Sequence, residues 1–298
     1  MLFLGIDGGG TRCRARIRDQ NWRLVGEGAG GPANIYQDFS GTVASVLEAA
    51  RAAAAEGGLA SERLAELHAG LGLAGIITGD SAARLRAAGV PFARLSVAVD
   101  AQAACLGAHG GDDGGIVITG TGTAGFAIIA GVPHGIGGWG FQLGDDGSGA
   151  IMGRAVVRRA LLALDGMAPW SGALEAVIAA LGRDQTVITN WARTARPADY
   201  AQFAPLLLVA AAAGDAHAAE IVREAAGALA DHARRLQAMG APKLSLLGGL
   251  AEPMMAQLPS DVHGLFVQPQ ADAVDGAILL AKRGLQVTEP FANGVSRA

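Results

Sequence analysis

The first nineteen residues constrain what this chain can fold into more than any other segment. An apolar run ends at Asp7, three glycines (Gly8, Gly9 and Gly10) follow, and Thr11 leads into a segment where polar and apolar residues alternate. Alternation with a period of two after a glycine turn predicts a β-hairpin. A turn with so little side-chain bulk lets backbone N–H groups approach a phosphate closely. The alternative interpretation is a tight hairpin without a ligand.

Two residues that flank these glycines suit a nucleotide. Asp7 at the end of the strand can hold a hydrated Mg²⁺, and the Thr11 hydroxyl can bond a phosphate oxygen. No lysine follows a glycine in the manner of a P-loop, which excludes that motif. A dinucleotide fold is also disfavoured, because this glycine turn leads into a strand and not into a helix.

The second half of the chain opens with a similar pattern. A turn of small residues, with Gly120, Thr121 and Gly122 at its centre, separates an apolar run from a strand-like segment. A third glycine pair, Gly248 and Gly249, follows another short strand. One turn in each half indicates a duplicated architecture whose two turns could hold one nucleoside triphosphate.

Strand-like and helix-like segments alternate, which predicts an α/β protein with mixed parallel and antiparallel pairing. The glycine-rich break at residues 110–115 is the best domain boundary. We therefore expect one domain over residues 1–110 and a second over 111–284, with a mostly helical region inside the second. The final strand is predicted at Leu265–Gln268 and the final helix at Ala271–Arg283. The tail, residues 285–298, is expected to pack on the first domain.

Composition limits the partners. The 298 residues carry a net charge of −4 and no basic cluster, so a nucleic-acid partner is not expected. The longest apolar run, Leu206–Ala213, is too short to span a bilayer, and no signal peptide is expected. Two cysteines argue against a disulfide framework and favour a reducing cytoplasm.

Asp100 is the candidate catalytic residue. It follows a predicted strand and precedes a predicted helix, and α/β folds bind ligands at such carboxyl-terminal strand ends. A carboxylate there can accept the proton of an attacking hydroxyl during phosphoryl transfer. The alternative is that Asp100 caps the helix that follows.

A loop dense in glycine is the candidate sugar-binding segment. Gly138, Trp139 and Gly140 precede the adjacent acids Asp145 and Asp146. Carboxylates that accept hydrogen bonds from vicinal hydroxyls commonly bind sugars. The alternative is a helix entry, with Asp146 or Ser148 as the cap. Asn34 lies in another loop, where a structural role is the more common interpretation.

Together these motifs resemble the sugar kinase/Hsp70/actin superfamily, and within it the branch of N-acetylglucosamine and glucosamine kinases related to the BadF/BadG ATPases. The segment from Gly5 to Thr11 resembles the first phosphate motif, Thr119–Thr123 the second, and Leu246–Leu250 the adenosine motif. The resemblance covers nearly the whole chain. It implies two actin-like (ribonuclease H-like) domains with a nucleotide cleft between them, which close on the substrates.

The resemblance also implies an activity and residue roles. The expected reaction is ATP- and Mg²⁺-dependent phosphorylation of the 6-hydroxyl of N-acetylglucosamine or glucosamine. Asp100 would be the base, Asp7 would assist the metal, and Thr11 and Thr121 would contact ATP with the glycines of the three turns. The amino sugar would be contacted by Asn34, Gly138, Trp139, Gly140 and Asp145.

Several alternatives stay open. The enzyme could be specific for glucosamine, or the chain could be a non-catalytic sugar and ATP sensor of the same fold. Cys13 and Cys105 do not form the iron–sulfur motif of the related dehydratase activators. A homodimer is an expectation for assembly that the residues do not decide.

Overall fold

A computed structural model describes residues 1–76 and 80–284 of the chain. The chain divides into two compact units. Unit 1 contains Met1–Ile116, Phe126–Gly135 and the stretch that begins at Gln268. Unit 2 contains Val117–Gly125 and Ile136–Val267. The predicted packing of residues 285–298 lies outside the described residues.

Strands and helices alternate in the described residues, as the sequence predicted. In chain order the structure has β1 (Leu2–Gly8), β2 (Cys13–Asp19), β3 (Leu24–Gly30), α1 (Phe39–Glu56), a 3₁₀ helix (Ser61–Glu66), β4 (His68–Leu73), α2 (Ser81–Ala87), β5 (Arg94–Val99), α3 (Asp100–Ala108), β6 (Gly114–Thr119), β7 (Thr123–Ile129), β8 (Val132–Gly137), α4 (Gly149–Leu164), α5 (Gly172–Leu181), α6 (Gln185–Thr194), α7 (Pro197–Ala201), α8 (Ala204–Ala212), α9 (Ala216–Ala238), β9 (Leu244–Leu247), α10 (Ala251–Met255), α11 (Ser260–His263) and α12 (Ala273–Arg283).

The first sheet has the strand order β3-β2-β1-β4-β5. β1 pairs antiparallel with β2, in the hairpin that the sequence predicted, and parallel with β4, and β4 pairs parallel with β5. The predicted mixture of parallel and antiparallel pairing is thus present. Asp7 lies opposite Gly72, and Gly72 lies opposite Ala98. The carboxyl ends of three neighbouring parallel strands therefore meet at one edge of the sheet.

Helix α12 covers one face of this sheet at very short range. A Cβ atom on Gly5 would lie 2.2 Å from the Val274 carbonyl oxygen, and one on Gly70 would lie 1.9 Å from that of Ala277. Any larger residue would push the helix away, because real Cβ contacts are never this short. These two glycines are therefore required by packing.

The second sheet, with the order β8-β7-β6-β9, contains a strand that the sequence analysis missed. β8 carries Pro133 and two glycines, which lower its strand propensity. Its place at the edge of the sheet tolerates a proline, since the missing N–H need not pair.

Two predictions near the C-terminus were wrong in extent. The strand expected at Leu265–Gln268 is only an isolated bridge between Phe266 and Leu244. The Ser245 hydroxyl donates to the Val267 carbonyl at 2.9 Å, so a side chain takes the place of a continued backbone ladder. The last helix begins at Ala273 because Asp272 is its N-cap and accepts from the Asp275 N–H.

The mostly helical region predicted from Ser148 to Met239 is confirmed as α4 to α9. Across the described residues no single helix meets the length and apolarity of a membrane span, whereas the bent pair Pro197–Ala212 and Ala216–Ala238 does so jointly.

Candidate active site

The turn between β1 and β2 is formed by the three glycines singled out in the sequence. The Gly9 N–H donates to the Arg12 carbonyl at 3.0 Å, and the Gly9 carbonyl accepts from Ala33 at 2.8 Å. A Cβ on Gly8 would lie 2.6 Å from Leu73 Cδ2, so packing requires that glycine. A Cβ on Gly9 would meet nothing closer than 3.8 Å, and one on Gly10 nothing within 4 Å.

Neither Gly9 nor Gly10 has a positive φ angle. The fold of unit 1 therefore explains Gly8 but neither of its two neighbours. A glycine that neither packing nor backbone conformation requires is consistent with close approach of a ligand to the backbone. The exposed Thr11 side chain lies beside this open space.

Asp7 is the penultimate residue of β1, and its carboxylate is paired to an arginine. Arg14 Nη2 donates to Asp7 Oδ2 at 2.7 Å, and Arg14 Nη1 lies 3.5 Å from Asp272 Oδ2. Sequence reasoning took Arg14 only as an alternating strand residue. The available signal was that Arg14 lies directly across the hairpin from Asp7 in register.

Asp100 is the first residue of α3, immediately after β5. Its Oδ1 accepts from the Ala101 N–H at 2.8 Å, but α3 takes Val99 as its N-cap and has no side-chain capping bond. The capping alternative is therefore wrong. Burial raises the pKa of Asp100, the Ala101 N–H acts against this, and the negative charge of Asp7 raises it further. A carboxylate in this environment accepts a proton more readily than an exposed aspartate does.

Asn34 lies in the loop after β3 and bridges to Ala74 at the end of β4. Its Oδ1 accepts from the N–H groups of Tyr36 and Gln37 at 3.2 and 3.1 Å. Because Oδ1 is engaged, only the amide nitrogen is left to face a ligand, and it can only donate. Unit 1 thus gathers Asp7, Asn34 and Asp100 at the carboxyl edge of its sheet.

In unit 2, the turn between β6 and β7 is braced by α4. The Gly120 N–H donates to the Gly122 carbonyl at 3.0 Å. The first two N–H groups of α4, from Gly149 and Ala150, donate to the carbonyls of Gly120 and Thr121 at 2.8 and 3.3 Å. The Thr121 side chain stays exposed. The turn is therefore held by a helix end as well as by its own hairpin.

The third glycine turn adjoins the second. The Leu250 N–H donates to the Thr119 carbonyl at 3.1 Å. Gly248 has a φ of +104°, and its Cβ would lie 2.2 Å from that same carbonyl oxygen, so both conformation and packing require glycine. Neither backbone conformation nor packing requires glycine at positions 120 and 249. A Cβ on Gly120 would lie 3.9 Å from its nearest neighbour, the Gly249 nitrogen, and a Cβ on Gly249 would have no atom within 4 Å.

Asp145 connects the glycine-rich loop to the second turn. Its φ is +64°, which is uncommon for a residue with a side chain and clusters at functional sites. Burial raises the pKa of Asp145, while N–H groups of Thr123 and Gly140 that donate to its carboxylate oppose the shift. A Cβ on Gly122 would lie 2.9 Å from Asp145 Oδ2.

The other residues of this loop are either exposed to solvent or form the start of α4. Trp139 is 66% exposed, and the Gly138 N–H donates to the Thr123 carbonyl at 3.2 Å. Ser148 is the N-cap of α4 and accepts from Ile151 at 3.2 Å. Of the two predicted capping residues, Ser148 therefore has that role and Asp146 does not.

The comparison with protein families decides the family. The model of the BadF/BadG/BcrA/BcrD ATPase family matches residues 4–281, nearly the whole chain. The chain belongs to this family. The resemblance inferred from the motifs is thereby confirmed.

Relatives of this ATPase family member agree in length and fold. Glucosamine kinase GspK of Vibrio cholerae is 38% identical over 279 residues, which are 94% of this chain and 95% of the relative. A structure from Chromobacterium violaceum, provisionally called an N-acetylglucosamine kinase, is 34% identical with a TM-score of 0.87, over 94% of this chain and 98% of that one. A similarly described protein from Porphyromonas gingivalis, at 20% identity and a TM-score of 0.70 over 95% and 100% of the two chains, shares the fold. The predicted actin-like α/β fold is confirmed.

The sequence predicts Mg²⁺ at Asp7, and the residues around Asp7 can be compared with what that ion prefers. Mg²⁺ is usually held by one or two carboxylates together with phosphate oxygens and water. In the part of the chain that the structure describes, no group of three or more His, Cys, Asp or Glu residues could hold a metal ion. Asp7, with its side chain 22% exposed, fits the single carboxylate of such a shared site. Cys13 and Cys105 are buried, and burial raises the pKa of each to about 12.

Proposed function

We propose that this chain is an ATP-dependent amino-sugar kinase that phosphorylates the 6-hydroxyl of glucosamine or N-acetylglucosamine. The observation that carries the proposal is the placement of Asp100 at the carboxyl end of β5, on the sheet edge where Asp7 lies near the end of β1. A base beside a carboxylate suited to Mg²⁺ is what transfer from ATP to a hydroxyl requires.

The relatives support the amino-sugar assignment. One relative at 38% identity is named a glucosamine kinase, and a structure at 34% identity is provisionally called an N-acetylglucosamine kinase. Because these names differ, both sugars stay in the proposal. The match to an ATPase family supports ATP as the phosphoryl donor.

Asp100 is proposed to orient the sugar hydroxyl and to take its proton. As the hydroxyl oxygen bonds to the γ-phosphorus, the bond to the β,γ-bridging oxygen breaks, ADP leaves, and the proton passes to the Asp100 carboxylate. The raised pKa of Asp100 suits this step, because a base works best when its pKa is close to the working pH.

Asp7 is proposed to hold Mg²⁺ through water. The metal would neutralise charge on the phosphates when it is bound. Phosphate oxygens of ATP are proposed to bind Thr11, Thr121 and the glycines of the first two turns, which are Gly8, Gly9, Gly10, Gly120 and Gly122. Gly248 and Gly249 of the third turn are proposed to bind the adenosine part of ATP. Four of these glycines, at positions 9, 10, 120 and 249, are not required by the fold, and this supports the assignment.

The amino sugar is proposed to contact Asn34, Asp100, Gly138, Trp139, Gly140 and Asp145. Because Asn34 Oδ1 is engaged within its loop, its amide nitrogen can donate to a sugar oxygen. The Asp145 carboxylate can accept from a pair of sugar hydroxyls. The domain limits 1–110 and 111–284, a cytoplasmic location and a homodimer are further parts of this proposal.

The decisive experiment is a comparison of acceptors. The purified chain with ATP and Mg²⁺ is given glucosamine, N-acetylglucosamine or glucose, ADP release is followed, and the phosphorylated carbon is assigned by NMR. We expect an amino sugar to have the largest kcat/KM and to carry phosphate on the oxygen of carbon 6. Sugar binding by calorimetry without stimulated ADP release would instead favour the sensor.

Asp145→Asn tests the sugar assignment without changing the backbone, because asparagine also tolerates a positive φ. Loss of a charged acceptor typically costs about 1.5–3 kcal/mol, so sugar affinity should fall by about 10- to 100-fold while ATP affinity changes little. Asp146→Asn is the matched control on the exposed neighbour. Equal effects of the two substitutions would contradict the role of Asp145.

A further inference from the structure

Three arginines at alternate positions of β2, Arg14, Arg16 and Arg18, lie on one face of the strand. That face meets the start of α12, where Asp272 and Asp275 accept from them. Arg16 Nη1 lies 2.9 Å from Asp272 Oδ1, and Arg18 Nε lies 2.7 Å from Asp275 Oδ1. Two of the three arginines thus fasten the last helix to the first sheet.

Arg14 departs from this pattern. Its close partner is Asp7 at 2.7 Å, whereas its contact with Asp272 is long, at 3.5 Å. Its side chain is 37% exposed, compared with 17% for Arg16 and 18% for Arg18. Arg14 therefore binds mainly to Asp7, at the carboxyl edge of the sheet, and only weakly to Asp272 at the start of α12.

The carboxyl edge of the first sheet carries two acidic side chains, Asp7 and Asp100, and Arg14 supplies a positive charge beside Asp7. Asp7 and Asp100 both adjoin Gly72: Asp7 lies opposite Gly72 in register, and a Cβ on Gly72 would lie 3.5 Å from Asp100 Cα. The negative charge of Asp7 accordingly raises the pKa of Asp100. Two neighbouring carboxylates with no cation between them attract a divalent metal. Arg14 supplies one positive charge directly to Asp7, and its hydrogen bond occupies Oδ2.

We propose that Arg14 is a positioning residue that neutralises Asp7 and holds its Oδ2, so that this edge takes a divalent cation only together with the phosphates of a nucleotide. The proposal rests on the proposed function for the identity of the nucleotide, but its electrostatic part concerns unit 1 alone. With Arg14 in place, the metal needs phosphate oxygens as additional ligands. Without Arg14, the two carboxylates alone form a cation site.

The test compares Arg14→Gln with Arg18→Gln in the full chain, without nucleotide. Mn²⁺ is titrated as the probe, and free Mn²⁺ is measured by electron paramagnetic resonance. We expect Arg14→Gln to bind Mn²⁺ at least about tenfold more tightly than the unmodified chain, because a full positive charge beside the carboxylate is removed. Arg18→Gln removes an arginine from the same face without touching Asp7, and it should bind Mn²⁺ as the unmodified chain does.

Two further variants fix the site and guard against misfolding. Asp7→Asn added to Arg14→Gln should abolish the new Mn²⁺ affinity, which places the ion at Asp7. Arg14→Lys keeps a positive charge and should restore the low affinity of the unmodified chain. If Arg14→Gln does not give a native circular dichroism spectrum, Arg14→Lys still decides: increased Mn²⁺ affinity in that variant overturns the proposal.

Equal Mn²⁺ affinity in the unmodified chain and a folded Arg14→Gln variant also overturns it. So does a gain in Arg18→Gln as large as that in Arg14→Gln, because the effect would then be one of overall charge. None of these measurements uses an acceptor sugar. A chain that phosphorylates no sugar but shows the expected Mn²⁺ pattern would refute the proposed function and leave the role of Arg14 intact.

Discussion

The two glycine turns look alike in sequence but are supported in different ways. The turn after β1 is flanked by Asp7 and Arg14, and the carbonyls of Gly8 and Gly9 accept from Ala74 and Ala33, which follow β4 and β3. The turn after β6 has no charged residue within it, and its carbonyls accept from the first N–H groups of α4. Unit 1 therefore holds its turn through residues that follow neighbouring strands, whereas unit 2 holds its turn through the end of a helix.

This difference suggests a division of work. The residues that we propose to accept a proton or to hold a cation, Asp100 and Asp7, are both in unit 1, at the carboxyl ends of parallel strands. Unit 2 offers a turn whose geometry is fixed in advance, which favours binding because little conformational freedom is lost. Each of the following predictions tests one side of this comparison, and they are ordered from the largest expected effect to the smallest.

Replacement of the proposed base tests the charged side. Asp100→Asn keeps the size of the side chain and an oxygen for the Ala101 N–H, but it cannot take a proton. General-base catalysis contributes about 10²–10⁴-fold, so kcat should fall by that factor. ATP and sugar affinities, measured by calorimetry, should remain close to those of the unmodified chain. Retention of more than about a tenth of the turnover would show that Asp100 is not the base.

The brace of the second turn is tested at Gly248. Alanine there would adopt a φ of +104° and place its Cβ 2.2 Å from the Thr119 oxygen. Strain and overpacking of this kind cost about 2–5 kcal/mol in the free energy of unfolding, measured by urea denaturation. Gly10→Ala in the first turn should change it by less than about 0.5 kcal/mol and yet weaken ATP binding. Comparable losses of stability at both positions would contradict the distinction.

The two threonines compare the turns directly. Thr11→Val and Thr121→Val each remove a hydroxyl while keeping the shape of the side chain. A bond to a charged phosphate contributes about 1.5–3 kcal/mol, so the KM for ATP should rise by up to about 100-fold, with little change for the sugar. The rise should be larger for Thr121→Val, because a braced turn cannot adjust to recover other contacts. A larger rise for Thr11→Val would reverse our view of which turn is rigid.

The smallest effect is on stability as a function of pH. Because the folded pKa of Asp100 is raised above its usual 3.8, ionisation of Asp100 costs stability as the pH rises from that value through the raised pKa. Asp100→Asn should therefore have a higher Tm than the unmodified chain at pH 7, and the difference should shrink as the pH is lowered toward 3.8.

Asp215 in unit 2 is the matched control with the opposite sign. Burial acts to raise its pKa, but the N–H groups of Ala173 and Ala218 outweigh burial and leave it lowered. Asp215→Asn should therefore lower the Tm at pH 7, and this loss should vanish in acid. The same sign for both variants would mean that burial and hydrogen bonding have been assigned wrongly.

Local patterns in the sequence predicted the first sheet well. Alternation identified β2, and the glycine turn identified its hairpin with β1, because both signals lie within a few residues. β8 was missed because its proline and glycines disfavour a strand locally, and only its edge position makes them acceptable. The strand expected at Leu265–Gln268 is reduced to a bridge at Phe266, beside which the Ser245 hydroxyl bonds the Val267 carbonyl. Such contacts join segments 22 residues apart, and no local pattern records them.

The candidate site was predictable to a similar extent. Asp7 and Asp100 could be found because both end apolar runs. Arg14 was not assigned a role, although its close partner Asp7 is only seven positions away, because the pairing depends on the register of the hairpin and not on either residue alone. The engagement of Asn34 Oδ1 by its own loop was equally invisible, since it depends on how the chain turns after Asn34.

The packing of α12 against Gly5 and Gly70 has a consequence for how the protein is made. Ribosomes synthesise the chain from its N-terminus, so β1 and β4 emerge long before the helix that covers them. Until about residue 283 has left the ribosome, that face of the first sheet has no native cover. Contacts between segments so distant in sequence slow folding and lengthen the exposure of apolar surface. Deletion of the last turns of α12 would thus destabilise most strongly the first sheet, which is the part of the molecule that is synthesised first.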